Sequence, residues 1–535
     1  MSATPAVMAD SVAGSSGVTL EQLVADLEAD GILLRASGDL LHYKAVPGAL
    51  TPDREALLRT RKAELLQLLR RRSRDGVDPP RIDGAEAVWV PAVAQTSLFD
   101  LPAPPFLMSV ERRWRTPDPA AFQLALDQLV MRHDSLRTRF IRDRAGRLWG
   151  ITERSRSVPV QHVDLSDLEE RARSERARAI TQQMEKAPVD HERGPLLRVA
   201  LLKLTEEETA CILIACHTIF DGASAEIFFR DLLVLYRGCL HGTPVDLPPL
   251  HYPFRVHAQR QHAWLNSAAG HEHLLHIRQR MLGDGKRFWP QPDSSITVRP
   301  DIPPAMGQID GPQLEALRQT VRRAGTTVFV AALAATGIAL SRWAKSTDAF
   351  LWIADSGRHL PEVTDMVGCL AIHTPFAMRV PDTQTFAEAL QSIWNCYRED
   401  IRHPFPGQRI KPIAARARET GLFTHIELNF MAANTADHEL MGADTRQRCA
   451  TGSPLVESIS RYDDVTIFAV RPCFYEGDNG LAWSIRHKSR MFAHTNIDHL
   501  SSLIGAALSM LAFAPDALLS ELQKGRSIHA EGRAT

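Results

Sequence analysis

The amino-acid sequence predicts an α/β protein with more than one folded unit, and three observations support this prediction. The 535 residues are enough for roughly three or four domains. Hydrophobic residues make up 44% of the chain and charged residues 23%, as in globular proteins with a packed core. Two nearly continuous apolar runs, 196–204 and 209–216, precede a segment whose apolar residues have helical spacing. This order is typical of buried strands that are followed by an amphipathic helix.

Residues 18–72 predict a small unit with the order α-β-β-α-α. Thr19 begins a capping-box pattern ahead of apolar residues at helical spacing, and Gly31 ends this helix. Two short apolar stretches around a glycine-containing turn, within 32–44, predict a β-hairpin. Thr51-Pro52 then predicts an N-cap followed by proline at the first position of two further helices.

This unit resembles the β-hairpin docking domains at the N-termini of some nonribosomal peptide synthetase subunits. The residues that carry the resemblance lie at 27–32, 38–41, 47–51 and 62–66. In that family, the hairpin edge captures a short linear segment at the C-terminus of a partner carrier protein by β-augmentation. The resemblance therefore implies an upstream acyl or peptidyl carrier protein as a partner.

The charge of this unit favours an acidic partner motif. Residues 31–74 contain ten Lys or Arg and four Asp or Glu, a net charge of +6, in a chain whose net charge is -1. The basic residues expected to bind the motif are Arg35, Lys44, Arg54, Arg59, Arg61 and Lys62. The alternative interpretation is that the arginines of 70–74 form a solvated helix end, stabilised by the helix dipole. Residues 73–86 predict a linker, because they contain Asp-Gly and Pro-Pro.

The candidate chemistry lies at the end of the second apolar run. His217 directly follows that run, where its imidazole can project into a cleft and exchange a proton near neutral pH. Four residues later, Asp221 and Gly222 form a turn signal, and Asp221 could hold the loop by pairing with a buried arginine. By itself this HxxxDG pattern also fits a structural histidine in a core.

The segment 216–224 resembles the HHxxxDG active-site motif of nonribosomal peptide synthetase condensation domains, in the chloramphenicol-acetyltransferase-like superfamily. Further matches follow the family's order at 94–98, 132–140, 194–198, 288–289, 357–358, 367–370, 373–374, 379 and 491–515. The resemblance covers about 87–525. It implies two α/β sandwich lobes in a V, at 87–270 and 285–525, with His217 near the seam.

Three residues depart from the family pattern. Cys216 replaces the first histidine of the motif, Ala223 replaces a frequent tryptophan, and His373 stands where asparagine is usual. The second histidine, which lies at the reaction centre in this family, is retained as His217. The retained His217 implies an active enzyme, and the three departures imply an altered wall of the reaction channel.

The resemblance also implies roles for individual residues. His217 would be a general base or would position the nucleophile, and the backbone N–H of Gly222 could bind the oxyanion. Asp221 is assigned to structure, with Arg358 as its expected partner. Cys216 could be an acyl-accepting nucleophile. However, adjacent strand residues point to opposite faces, which favours a packed Cys216 when His217 faces the cleft.

The function implied by the resemblance is that of a stand-alone condensation enzyme. Without a carrier loop or an adenylation signature in this sequence, the acyl group would arrive on the phosphopantetheine of another chain. The acceptor would be an amine or a hydroxyl, either small or carrier-bound, and release as an ester is slightly favoured over an amide. No cofactor of its own is expected. The alternative is an inert scaffold that recruits carrier proteins through its docking domain.

Composition argues against several other classes of protein. A net charge of -1 and a pI near 7.1 leave no field for holding nucleic acid or an anionic membrane. The seven scattered cysteines predict neither a disulfide framework nor a metal site, and the N-terminus lacks a signal peptide pattern, so a cytoplasmic protein is expected. The uncharged stretch 324–341 predicts a buried helix. His271, His273 and His276 are interpreted as a solvated face, without bound metal.

Overall fold

The computed structural model describes residues 19–46, 48–73, 79–99, 107–245, 247–282, 304–400, 413, 426–432, 456–459, 469–477 and 479–524. The chain divides into two compact units, the first of which comprises 1–78 and 411–416. Part of the predicted linker and the predicted Phe288-Trp289 motif lie outside the described residues.

The first unit has the predicted order of elements. Its helices and strands are α1 (Leu20–Ala29), β1 (Ile32–Ser37), β2 (Leu40–Ala45), α2 (Pro52–Thr60) and α3 (Lys62–Ser73). The side chain of Thr19 caps α1, and that of Thr51 caps α2, because each accepts a hydrogen bond from a backbone N–H three residues later. One face of the antiparallel hairpin packs on α1 and α3 through Ile32 and Leu34.

The first half of the second unit contains two sheets and the helices that cover them. Its elements are β3 (Ala85–Trp89), α4 (Val93–Phe99), β4 (Leu107–Arg115), α5 (Pro119–Arg132), β5 (Thr138–Arg142), β6 (Leu148–Glu153), β7 (Val160–Asp164), α6 (Glu170–Lys186), β8 (Leu197–Lys203), β9 (Glu208–Cys216), α7 (Gly222–His241), α8 (Phe254–Leu265) and α9 (Ala268–Leu282). β8 and β9 are the two predicted buried strands, and they pair antiparallel.

The second half contains a six-stranded sheet that packs on helices. Its elements are β10 (Ala305–Asp310), α10 (Gly311–Arg323), α11 (Val328–Trp343), β11 (Asp348–Asp355), β12 (Ile372–Arg379), α12 (Phe386–Asp400), β13 (Glu427–Ala432), β14 (Val456–Ile459), β15 (Val470–Glu476), β16 (Gly480–His487) and α13 (His494–Phe513). The strand order is β10-β16-β15-β13-β11-β12. The predicted α/β class is therefore confirmed.

One strand crosses between the two halves. β14 follows β13 in the chain, yet it pairs antiparallel with β4 and completes a sheet of order β14-β4-β9-β8-β7. No local pattern predicted this exchange, because a four-residue strand carries almost no periodicity. A further sheet has three strands, in the order β3-β6-β5. Its strand β3 begins at Ala85, inside the stretch predicted as linker.

The prediction of burial for 324–341 was confirmed, whereas the prediction of exposure for 271–276 was not. α11 is buried along nearly its whole length, as its uncharged sequence predicts. The interpretation of the histidines as a solvated face was wrong, because His271 and His273 are only 9% and 5% exposed on α9. The ring of His273 lies beside Trp264, and His271 Nδ1 lies 2.6 Å from the carbonyl oxygen of Ser267. Aromatic contact and a backbone acceptor thus allow burial of residues that look polar in the sequence.

Within the described ranges, no single helix is long and apolar enough to cross a membrane, although the bent pair α10 and α11 passes the same test by length and composition.

Candidate active site

His217 lies in the tight turn between the end of β9 and the start of α7. It is partly exposed, whereas its neighbours in the turn, from Thr218 to Asp221, are buried. The backbone N–H of Ile219 donates to the carbonyl of Cys216 and closes the turn. The side-chain amide of Gln95, itself fully buried, donates to the carbonyl oxygen of Thr218 at 2.7 Å. The loop that carries the imidazole is therefore held from α4 as well as by its own strand and helix.

Asp221 is buried at the N-cap of α7 and binds two elements at once. Its Oδ1 accepts hydrogen bonds from the backbone N–H and hydroxyl of Ser224, at 2.8 and 2.7 Å. Its Oδ2 accepts hydrogen bonds from Arg358 Nη1 at 2.9 Å and from the backbone N–H groups of Leu370 and Ala371 at 2.9 and 3.0 Å. The structure thus brings Asp221 and Arg358 together, as the sequence analysis expected.

The charge of Asp221 is maintained by these contacts. Burial alone would raise the pKa of Asp221, but Arg358 and the hydrogen bonds from Ser224 lower it below its ordinary value. The Arg358 side chain is only 7% exposed, so both members of the pair are removed from water. Such a pair holds the two segments that carry it in a fixed geometry, because loss of either charge would leave the other buried without a partner.

Two serine hydroxyls also link the two halves of the second unit. Ser224 Oγ accepts a hydrogen bond from the Gly368 N–H at 3.0 Å and lies 2.9 Å from the carbonyl oxygen of Gly368. Ser135 Oγ, within the predicted 132–140 match, donates to the carbonyl of Val367 at 2.6 Å. The segment 366–371 is therefore bound to the first half at several points around His217.

The environment of His217 favours its neutral form. Burial lowers the pKa of the His217 imidazole. Asp221 and a hydrogen bond to the residue's own backbone raise it, and electrostatic interactions with His373 and Arg471 lower it. The result is a pKa below the ordinary value. Covalent geometry brings only Nδ1 near the residue's own carbonyl, so Nδ1 carries the proton. Nε2 is then a proton acceptor at neutral pH.

Cys369, from the second half, lies beside this ring. Its Sγ lies 3.9 Å from His217 Nδ1, and burial raises the pKa of the thiol well above its ordinary value. The motif match at 367–370 does not by itself predict that Cys369 lies beside the histidine. The uncharged thiol helps to exclude water from one side of the imidazole.

Cys216 is packed on the opposite side of the strand end. It is fully buried, its Sγ accepts a hydrogen bond from the Thr218 hydroxyl at 3.1 Å, and His191 Nε2 lies 3.3 Å from it. Burial raises the pKa of the Cys216 thiol, so the thiolate that a nucleophile requires is disfavoured. This geometry fits the packing interpretation of Cys216.

A charged cluster on the second half was missed by the sequence analysis. Glu427, at the start of β13, is 1% exposed and lies 2.5 Å from His373 Nε2 and 2.6 Å from Arg471 Nε. Burial raises the pKa of Glu427, but Arg471 and His373 lower it below its ordinary value overall. The available signal was a glutamate between Ile426 and Leu428, since a carboxylate buried among apolar neighbours requires partners.

Gly222 begins α7 and lies close to the face of β13 that carries Glu427. A Cβ at Gly222 would lie 3.9 Å from Met431 Sδ, so this part of the loop faces the second half.

One cavity of about 610 Å³ lies away from His217, between α6 and strands β4, β8 and β9. Among the described residues, no group of three or more His, Cys, Asp or Glu could hold a metal ion.

The basic residues predicted to bind a partner motif divide into two sets. Arg54 forms an ion pair with Asp30 and donates to the carbonyl of Ala49, so it stabilises the unit's own fold. Arg59 and Arg61 form ion pairs with acidic residues on the same two helices of the unit, α2 and α3. The remaining three, which are exposed on the hairpin or at the start of α3, are Arg35, Lys44 and Lys62.

Comparison with family models decides the classification. Residues 115–527 match the condensation domain, and residues 20–71 match the TubC N-terminal docking domain. The chain belongs to the condensation-domain family. The HxxxDG loop at His217 lies inside the first match, and the hairpin lies inside the second.

A tripeptide synthetase and a bacitracin synthase are similar to this chain over most of its length. Phosphinothricin tripeptide synthetase PhsC of Streptomyces viridochromogenes is 28% identical over 396 residues, which is 70% of this chain and 35% of that protein. Bacitracin synthase 1 of Bacillus licheniformis is 23% identical over 425 residues, which is 78% of this chain and 8% of that protein. The chain therefore spans about a third or less of these relatives.

Solved structures of docking-domain and chain-release proteins share the fold. The EpoB cyclization-docking bidomain of Sorangium cellulosum has a TM-score of 0.63 and 22% identity, covering 93% of this chain and 99% of that one. The condensation domain that mediates chain release from the enacyloxin polyketide synthase has a TM-score of 0.59 and 19% identity, covering 92% of this chain and 96% of that one.

Proposed function

We propose that this condensation-family chain transfers an acyl group from a carrier-protein phosphopantetheine thioester to an amine or hydroxyl acceptor. Release of the acyl chain as an ester is slightly favoured over an amide. The observation that carries the proposal is the partly exposed His217, which is held neutral beside the second half with Nε2 as a proton acceptor. The chain would need no cofactor of its own, since the reactive thioester arrives with the carrier.

The residues near His217 support a balanced acyl transfer. The acceptor O–H or N–H attacks the thioester carbonyl carbon, the new C–O or C–N bond forms, and His217 Nε2 takes the proton. The carbonyl oxygen becomes an oxyanion, for which the Gly222 N–H at the start of α7 is the proposed donor. Collapse breaks the C–S bond, and the imidazolium returns the proton to the leaving thiolate. Asp221 and Arg358 would act by holding the loop.

The test is acyl transfer from a loaded carrier. An acyl carrier protein with an octanoyl phosphopantetheine thioester is incubated with the chain and with a panel of amino acids, amino alcohols and diols. Intact-protein mass spectrometry follows loss of the octanoyl group, and mild alkali separates ester from amide products. Wild-type turnover above the enzyme-free control supports the proposal. No transfer to any acceptor would favour the scaffold function instead.

The pH dependence of transfer should have an acidic limb below the ordinary histidine pKa of 6.5, because burial lowers the pKa of His217. Only the neutral ring accepts a proton, so kcat/KM falls as the pH decreases through this lowered pKa and is constant above it. The profile is measured with a diol acceptor, whose hydroxyls do not titrate in this range. A midpoint above 6.5 would contradict the assigned environment of His217.

We also propose that the first unit docks an acidic C-terminal motif of the carrier protein. β2 supports this proposal, because Leu40 and Tyr43 are 60% and 54% exposed beside the basic Lys44, whereas Ile32 and Leu34 of β1 are buried. An exposed strand with apolar and basic side chains suits β-augmentation by a short acidic segment.

Deleting residues 1–75 should raise the KM for the loaded carrier about tenfold or more while kcat at saturating carrier is unchanged, because docking raises the local carrier concentration. Arg35→Glu combined with Lys44→Glu should act in the same direction. The matched control is Arg171→Glu, whose side chain on α6 is 92% exposed. Equal rates for the deletion and the full chain at every carrier concentration would reject docking.

A further inference from the structure

Arg486 and Arg471 lie side by side on the six-stranded sheet. The antiparallel register places Arg486 of β16 directly opposite Arg471 of β15, so the two side chains share one face. β13 and β15 pair in parallel with Ile426 opposite Val470, which places Glu427 beside Arg471 on that face. The three charged residues therefore form a row across neighbouring strands, and Arg486 is at its end.

This row lies on the face of the sheet that is directed toward the His217 loop. Met431, four residues after Glu427 on β13, is on the same face, and its sulfur lies close to the start of α7. The charge of Arg471 also lowers the pKa of His217. Arg486 therefore belongs to the second-half wall of the space beside the imidazole, one strand farther from β13 than Arg471.

Arg486 carries a charge that its described neighbours do not balance. Glu427 lies 2.6 Å from Arg471 Nε and pairs with that arginine. In the part of the chain that the structure describes, no carboxylate forms an ion pair with Arg486. Cys473 and Tyr475, on the same face of β15, are uncharged at neutral pH, because burial raises the pKa of each. The partly buried guanidinium is thus left opposite a second arginine, which is unfavourable without an anion.

The guanidinium group determines which anion fits. Its planar set of N–H donors matches a carboxylate in a two-bonded geometry. Neighbouring strands are about 4.8 Å apart, so Arg486 lies roughly 10 Å across the sheet from Glu427. A carboxylate bound at Arg486 would therefore be several bonds away from the group that reacts at His217.

We propose that Arg486 binds a carboxylate carried by one of the two substrates, at a position remote from the reacting group. This inference rests on the proposed function and deepens it by naming a substrate class. The carboxylate belongs either to the acceptor or to the distal end of the acyl chain. The phosphate of phosphopantetheine is a different anion, and the experiment distinguishes it because every loaded carrier has it.

The experiment has an acceptor arm and a donor arm. In the acceptor arm, the octanoyl-loaded carrier is combined with a length series of ω-amino and ω-hydroxy acids, each compared with its uncharged carboxamide. In the donor arm, a carrier loaded with the half-thioester of octanedioic acid is compared with the octanoyl carrier, using the panel acceptor that is converted fastest. The readout is the ratio of kcat/KM for the carboxylate substrate to kcat/KM for its neutral counterpart.

In the wild-type chain, one arm should give a ratio of about ten or more, the value of a hydrogen bond to a charged group. Arg486→Gln should lower that ratio to about one. Arg486→Lys should keep part of it, because its ammonium retains the charge without the planar donors. Thermal unfolding of both variants should occur at the wild-type temperature or higher, since repulsion from Arg471 is removed or unchanged. Arg171→Gln, at a side chain of α6 that is 92% exposed, is the matched control and should leave the ratio unchanged.

A wild-type ratio near one in both arms would overturn the inference alone, as would a high ratio that persists in Arg486→Gln. An equal fall in kcat/KM for charged and neutral substrates would also overturn it, since this is the result expected if Arg486 bound the carrier's phosphate. Absence of transfer by the wild-type chain from either donor to every acceptor would overturn the proposed function with it.

Discussion

Replacing His217 by alanine is expected to lower the rate of acyl transfer by about 10²- to 10⁴-fold, the usual contribution of a positioned general base. The imidazole is kept neutral by its surroundings, and among the described contacts around it Cys369 is a protonated thiol, which is unable to accept the proton in its place. The measurement is single-turnover loss of the octanoyl group from the carrier at saturating acceptor.

Carrier binding provides the control for this variant. The His217 side chain is only partly exposed and lies in the second unit, so His217→Ala should leave the affinity for the loaded carrier within about twofold. His162→Ala should transfer at the wild-type rate. A His217→Ala chain that still transfers at more than a tenth of that rate would mean that the imidazole is neither base nor positioning group.

The second large effect is expected on stability at the buried ion pair. Asp221→Ala should lower the free energy of unfolding by about 3–5 kcal/mol, because it leaves the Arg358 guanidinium buried without its carboxylate. It also removes the N-cap of α7 and the acceptor for two backbone N–H groups of 366–371. Transfer should fall as well, since the His217 loop loses its anchor. Urea denaturation followed by tryptophan fluorescence measures the main transition.

A double-mutant cycle separates the pair from its surroundings. Removing both side chains in Asp221→Ala/Arg358→Ala should cost less than the sum of the single changes, because no unpaired charge then remains buried. The matched control is Glu315→Ala, whose partner Arg322 is 61% exposed, and it should cost less than about 1 kcal/mol. A loss for Asp221→Ala as small as that of Glu315→Ala would show that the pair contributes little.

Local chemistry explains which elements could be predicted. The caps at Thr19 and Thr51, the turn before β2 and the apolar runs of β8 and β9 are readable because each depends on neighbours only a few residues away. The buried α11 could be predicted for the same reason. The burial of His273 on α9 could not be predicted, because its contact with the Trp264 ring depends on how α8 and α9 pack.

The residues of the candidate site also divide into those that local spacing predicts and those that only the fold brings together. His217, Asp221 and Gly222 lie within six residues of one another, so their spacing alone indicates a strand, a tight turn and a capped helix. Glu427 and its two partners come from three strands that are brought together only by the order β15-β13-β11-β12. The pairing of β14 with β4 likewise joins distant segments.

The sequence by itself therefore determined the α/β class, the docking unit and the position of the His217 imidazole, because these depend on periodicity, capping and short motifs. Only the tertiary structure decided what faces that imidazole. The contact of Cys369 with His217 and the Glu427 cluster on the opposite wall arise from sheet register and from packing between the two halves of the second unit, which no local pattern encodes.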